Sequence, residues 1–205
     1  MSPRTYNLRK RRQAAEETRH RIIESARDLL TQKNDPAEFS MEAIARHADV
    51  SRLTIYYQFG SRPGLLEALY DHMANRGNMR RVAEVFQEPD TEKALEKMIR
   101  IFLGFWASDP IAIRKVRGMA ALDSEIDRGI RARDARRRHI AGELLKRFQL
   151  QQLDREMVER QNFAADVLST LTSFETYDAL ALAGHGQEPI LEVVLKLARA
   201  VIGLQ

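Results

Sequence analysis

The sequence predicts an all-α protein of about nine helices, a small N-terminal helix-turn-helix domain followed by a larger helical domain. Three observations carry that reading. Apolar residues recur at helical spacing along most of the chain, Ser40, Ser51 and Ser61 stand where helix N-caps are needed, and Gly- or Pro-containing stretches separate the apolar runs. In the first helix, from Ala15 to Gln32, Ile22, Ile23, Ala26, Leu29 and Leu30 share one side, and Lys33-Asn34-Asp35-Pro36 ends the pattern. This helix is expected to brace the next two.

Ser40 is placed to cap a second helix whose apolar side is Met41, Ile44, Ala45 and Ala48, and Ser51 to cap a third from Arg52 to Gln58. Only Asp49-Val50 lies between them. Asp tolerates the left-handed conformation that so tight a turn needs, Val50 supplies an apolar plug beneath it, and Ala45 is small where the two helices cross. After Phe59, Gly60-Ser61-Arg62-Pro63-Gly64 reads as a turn into a helix from Arg62 to about Met79, with Leu65, Leu66, Leu69 and Met73 inward.

Beyond residue 80, Gln87-Glu88-Pro89-Asp90 is a linker, and Thr91 starts a helix carrying Leu95, Met98, Ile99, Phe102, Leu103, Phe105 and Trp106. Asp109-Pro110 breaks it. A short helix from Ile111 to about Leu122 leads into a charged one from Ser124 to Phe148. Its Arg131, Arg133, Arg136, Arg137 and Arg138 are interleaved with Glu125, Asp127, Asp134 and Glu143, which favours a solvated, salt-bridged face over a second nucleic-acid patch. One long helix then runs from about Arg155 to Leu182, and a last one begins at Pro189 after Gly184-His185-Gly186-Gln187. In that last helix only Glu192, Lys196 and Arg199 form a polar stripe. The apolar arc around them is wider than the roughly 100° stripe needed for packing on one core, so a symmetric partner helix is expected to bury the remainder.

Composition excludes much else. With 205 residues and 44% hydrophobic content the chain has material for a core, so global disorder is not expected. It has no cysteine, which removes disulfides, thiolate metal sites and cysteine nucleophiles. No segment approaches the ~18 to 20 apolar residues of a membrane helix, and the N-terminus lacks a signal-peptide core, so a soluble, cytoplasmic protein is expected. The net charge of +4 is confined to residues 1–80, with 14 Lys/Arg against 10 Asp/Glu, whereas residues 81–205 balance at 19 and 19. Positive charge is densest at Arg4, Arg9, Lys10, Arg11 and Arg12, read as a disordered basic arm over residues 1–14. A helix-turn-helix beside such an arm makes double-stranded DNA the leading partner.

The residues Ile44-Ala45, Ala48-Asp49-Val50-Ser51, Thr54-Ile55-Tyr56-Tyr57, Phe59, Ser61-Arg62 and Leu65-Leu66 resemble the DNA-binding domain of the TetR family of transcriptional regulators. The motif match covers about residues 15–76. In the remainder, only the length, the helical pattern and the two long terminal helices are similar. The resemblance implies a DNA-binding domain over 15–80, with its motif at 40–59, and an effector-binding and dimerisation domain over 81–205. It also implies a homodimer on a palindromic operator and a ligand pocket whose occupation weakens DNA binding. Asp49 stands where Gly is common, Leu53 where a small residue is common, and Arg62 where Lys is usual.

Matched to the family's contact positions, Arg52, Thr54 and Gln58 have donors for base edges, Arg suiting guanine and Gln adenine, while Leu53 suits a thymine methyl group or the sugars. Ser40, Tyr56, Tyr57 and Arg62 suit phosphates. Candidates for an apolar or aromatic effector pocket are Phe102, Phe105, Trp106, Met119, Phe163, Phe174 and Tyr177. Candidates for the dimer interface are Phe163, Val167, Leu171, Val194, Leu197 and Val201. No GxGxxG, P-loop, GxSxG or HExxH is present, and His20, His47, His72, His139 and His185 show no ligand spacing. Neither catalysis, nor a metal, nor a cofactor is expected. The function expected is therefore a repressor released from its operator by a small molecule. The alternative is a DNA-organising protein or an activator without small-molecule control, separated from it by the affinity ratio between one palindrome and random DNA.

Overall fold

A computed structural model describes residues 3–32, 39–148 and 155–203. The fold is all-α, with no strand among the described residues. In chain order the helices are α1 (Pro3–Gln32), α2 (Met41–His47), α3 (Arg52–Phe59), α4 (Arg62–Arg76), α5 (Val82–Gln87), α6 (Thr91–Ser108), α7 (Pro110–Ala120), α8 (Ser124–Leu145), α9 (Arg155–Leu171), α10 (Phe174–Leu182) and α11 (Gln187–Ile202). None is long and apolar enough to cross a membrane. Two compact units are formed, one from Met1–Met73 with Ile111–Asp127, the other from Ala74–Pro110 with Arg128–Gln205.

The first unit is built on the apolar side of α1. Ile22 and Ala26 are fully buried, as are Ile55 of α3 and Leu69 of α4. The basic stretch expected to be disordered belongs to α1, which is helical from Pro3. Arg9, Lys10, Arg11, Arg12, Gln13, Ala14 and Ala15 are all strong helix formers, and proline is at home in a first helical turn. Lys33, Asn34, Asp35 and Pro36, read as the end of this helix, lie outside the described residues. Lys115 of α7 donates to the carbonyl of Thr31 at 3.3 Å, a cation at the helix C-terminus.

α4 stops earlier than the sequence suggested. Asn78 takes a left-handed conformation at φ 61°, and a short 3-10 turn, Met79–Arg81, leads into α5, a helix not anticipated before the Pro89 linker. Asp90 then caps α6, its side chain accepting from Lys93 N.

In the second unit α11 packs on α6 and α9, through Ile190, Leu191, Val194 and Ala198. The long helix expected from Arg155 to Leu182 is broken at Thr172-Ser173. Ser173 accepts from Thr176 N and caps α10, and the carbonyl of Thr172 accepts from the Trp106 indole at 2.9 Å. A buried indole N–H needs a partner, and the break supplies one. Arg137, assigned from sequence to a solvated face, is instead buried. It donates to Asp134 at 2.7 Å and to the Ser169 carbonyl at 3.3 Å, and lies 5.8 Å from the Trp106 ring.

The join between α3 and α4 is as tight as a backbone permits. A Cβ on Gly64 would sit 2.1 Å from the Phe59 carbonyl oxygen, which is backbone and has nowhere to go. Gly64→Ala should therefore lower stability by about 1–3 kcal/mol or more, as overpacking does, read from the urea midpoint.

Candidate nucleic-acid interface

Two serines set the register of the helix pair. Ser40 Oγ accepts from Ala43 N at 3.2 Å, and Ser51 Oγ accepts from Thr54 N at 3.1 Å while sharing a 2.9 Å hydrogen bond with the Thr54 hydroxyl. Between the helices Asp49 adopts φ 51°, the left-handed geometry expected of it, and Val50 N donates to the Ala45 carbonyl at 3.0 Å. Ala45 is buried, as close crossing requires, and Val50 is half-buried. Gly60, at φ 75°, closes α3.

Ile55 anchors the inner side of α3, so Arg52, Leu53, Tyr56 and Tyr57 are left on the opposite face. Leu53 is 77% and Tyr57 87% exposed, and Tyr56 is also exposed. Thr54 and Gln58 are half-buried, as is Ser40. Arg52 pairs with Glu42 of α2, which keeps the guanidinium on this face. From α1, Arg19 donates to the Gln58 carbonyl at 2.8 Å and lies 4.3 Å from the Phe59 ring. This residue positions the end of α3 and was missed from sequence, because nothing in a helical pattern marks a side chain that reaches another helix's carbonyl.

Arg62, whose place in the motif implies a phosphate contact, is engaged within its own chain. Its guanidinium donates to Asp123 at 2.5 Å and to Glu125 at 2.7 Å, carboxylates more than sixty residues further along the chain. Two acids at a fork-shaped cation form a strong charge-assisted arrangement, which a phosphate would have to displace. Asp123 also caps α8, accepting from Glu125 N at 3.0 Å and Ile126 N at 3.3 Å. A second tie joins the same elements, from the Tyr70 hydroxyl to the Ile126 carbonyl at 3.4 Å.

The effector candidates divide. Phe105, Trp106 and Phe174 form a ring cluster, with centroids 4.5 Å apart for Phe105 and Trp106 and 5.6 Å for Trp106 and Phe174. Phe102 and Tyr177 are buried in the same unit, where burial, with Asp178 nearby, pushes the Tyr177 phenol up. Met119 belongs to the first unit. Phe163 is 70% exposed and so does not line a buried pocket. Among the interface candidates Val194 is only 1% exposed, packed within its own chain, which removes it from the outer surface. Leu197 is exposed, as are Leu182 and Val193, while Val167, Leu171 and Val201 are half-buried.

The Arg62 clamp has a pH signature. Burial alone would raise the Asp123 carboxyl, but hydrogen bonds from Arg62 and from the Ile126 and Glu125 amides outweigh it and hold the carboxyl below its ordinary 3.8. A depressed carboxylate stabilises fully above 3.8 and loses that contribution as pH falls through the lower folded value. Asp123→Asn should therefore cost about 1 kcal/mol at neutral pH, and the gap to wild type should narrow on acidification, measured by urea unfolding.

Residues 22–69 match the family described as bacterial regulatory proteins, tetR family. The HTH-type transcriptional regulator AlkX of Mycobacterium tuberculosis is 32% identical over 110 residues, 51% of this chain and 50% of AlkX. The HTH-type transcriptional regulator EthR of Mycolicibacterium smegmatis is 33% identical over 104 residues, 50% of this chain and 46% of EthR. The chain thus spans about half the length of these curated relatives. A solved TetR-like transcriptional regulator from Rhodococcus sp. RHA1 shares the fold, with a TM-score of 0.66 at 20% identity over 91% of this chain and 96% of that one. Its helix-turn-helix segment, residues 22–69, thus matches the tetR family of bacterial regulatory proteins, and its fold resembles that of a solved TetR-like regulator.

Proposed function

We propose that the protein is a sequence-specific DNA-binding transcriptional regulator, a homodimeric repressor that sets α3 of each subunit into the major groove of a palindromic operator. The observation that supports this best is the outer face of α3. Leu53 and Tyr57, 77 and 87% exposed, stand one turn apart on a helix whose opposite side is anchored by the fully buried Ile55. Large apolar groups held out in water beside an arginine gain cover when the helix enters a groove.

In this reading Arg52 reads guanine, Gln58 adenine and Thr54 a base edge, while Leu53 meets a thymine methyl. Glu42 holds the Arg52 guanidinium ready until a guanine replaces it. Ser40, Tyr56 and Tyr57 bind phosphates. The exposed Arg9, Lys10, Arg11 and Arg12 of α1 take over the backbone-binding part assigned to Arg62. Phe163, Leu182, Val193 and Leu197 supply the apolar surface that a second subunit covers, and the Phe105, Trp106 and Phe174 cluster favours an aromatic or apolar effector.

Selection of bound sequences from a random DNA library should recover a palindrome, and recovery of no such motif would overturn the reading. Against the recovered operator, Arg52→Ala should cost ~1 to 3 kcal/mol and relax one base pair per half-site, whereas equal loss on all variants would make it a phosphate contact. For the assembly, Phe163→Glu with Leu197→Glu should turn a dimer into monomers in sedimentation, because each introduces a charge onto a face that two subunits must bury.

A further inference from the structure

We infer that the first unit contains a binding site for a divalent first-row transition ion, of which zinc is the reference case, formed by His20 and Glu24 of α1 with His72 of α4. The three side chains offer ligand atoms that all lie within 4.8 Å of one another. His20 and Glu24 are four residues apart, so they share one face of α1 a single turn apart, and His72 arrives from another helix. Both imidazoles converge on the same carboxylate oxygen: Glu24 Oε1 is 2.9 Å from His72 Nε2 and 3.8 Å from His20 Nε2. A tetrahedral ion bound at about 2.0–2.1 Å separates its ligands by roughly 3.3 Å, so these distances bracket what the site must reach by small rotations of side chains.

The donor set chooses the ion. Two imidazole nitrogens with one carboxylate suit zinc and its neighbours, whereas magnesium and calcium call for oxygen ligands. The surroundings graduate from closed to open. His72 Nε2 is buried and Glu24 half-buried, while the His20 side chain is 67% exposed, which gives the ion a route in and a fourth position for water. The other carboxylate oxygen, Glu24 Oε2, faces the Arg27 guanidinium at 3.9 Å, which orients the carboxylate and leaves Oε1 to the imidazoles. A simple ion pair between Glu24 and His72 needs only one histidine. The second ring also comes to this carboxylate, tilted and with 5.7 Å between centroids, so both imidazoles are within reach of one ion.

A bound ion ties α1 to α4 one residue beyond Arg19, the side chain that holds the end of α3. The site thus fastens the frame around the recognition helix. Its occupancy should rise with folding, because the three ligands come from two helices and are assembled only in the native chain.

The test uses the full, untagged chain, stripped with a chelator and titrated with cobalt(II) as a spectroscopic probe and zinc(II) in thermal melts. One saturable, chelator-reversible equivalent is expected, and zinc at about 100 times its Kd should raise the folding equilibrium constant about 100-fold. His20→Ala, Glu24→Gln and His72→Gln should each weaken the ion by at least about tenfold. Because His20 is exposed, His20→Ala keeps the fold and decides the matter if the His72 variant does not fold. Absence of saturable binding, or binding unchanged in His20→Ala, overturns the assignment. No arm contains DNA, so failure here is distinguishable from failure of the operator reading.

Discussion

A helix of eight residues does not hold its shape in water, because nucleation costs more than so few hydrogen bonds return, and α3 is eight residues long. Everything presented on its outer face therefore depends on what surrounds it. Ser51 fixes its start, and the left-handed Asp49 turns the chain into it. Ile55 sinks its inner side into the core, Arg19 holds the Gln58 carbonyl near its end, and the bare backbone of Gly64 lets α4 begin against Phe59. None of these groups is on the exposed face, yet each determines where Leu53 and Tyr57 point.

The charges around this frame are largely satisfied within the chain, which sharpens the division of labour. Arg62 spends its fork on Asp123 and Glu125, and Asp123 caps α8 with its other oxygen. A single carboxylate thereby joins the start of α4 to the start of α8, two helices that each contribute residues to both compact units. Arg52 has a milder commitment, one carboxylate on an exposed surface, and exposed pairs are worth little. The contrast leaves Arg52 the more weakly held of the two arginines and makes Arg62 part of the scaffold.

In the second unit a similar economy governs Trp106. Its ring lies against Phe105, Phe174 and Arg137, and its indole N–H takes the Thr172 carbonyl that the helix break exposes. Replacing the break by a continuous helix would consume that carbonyl in the helical ladder and leave the buried indole to find another acceptor.

Local signals in the sequence determined the helix-turn-helix, since capping serines, a turn-tolerant Asp49 and an apolar period are properties of neighbouring residues, and they specify α2, α3 and the start of α6 closely. The break at Thr172-Ser173 was also written locally, as a Ser with Thr three residues later, but the stronger apolar period across it concealed the signal. Tertiary structure alone decided the rest. Arg62 met two acids more than sixty residues away, Val194 turned inward where its helix could have shown it to a partner, and Phe163 turned outward. His20 and His72 have no informative spacing, and only the packing of α4 beside α1 brings both to Glu24. A sequence lists the residues on each face of a helix, but which face meets which neighbour depends on contacts between residues far apart in the chain, and those exist only once it has folded.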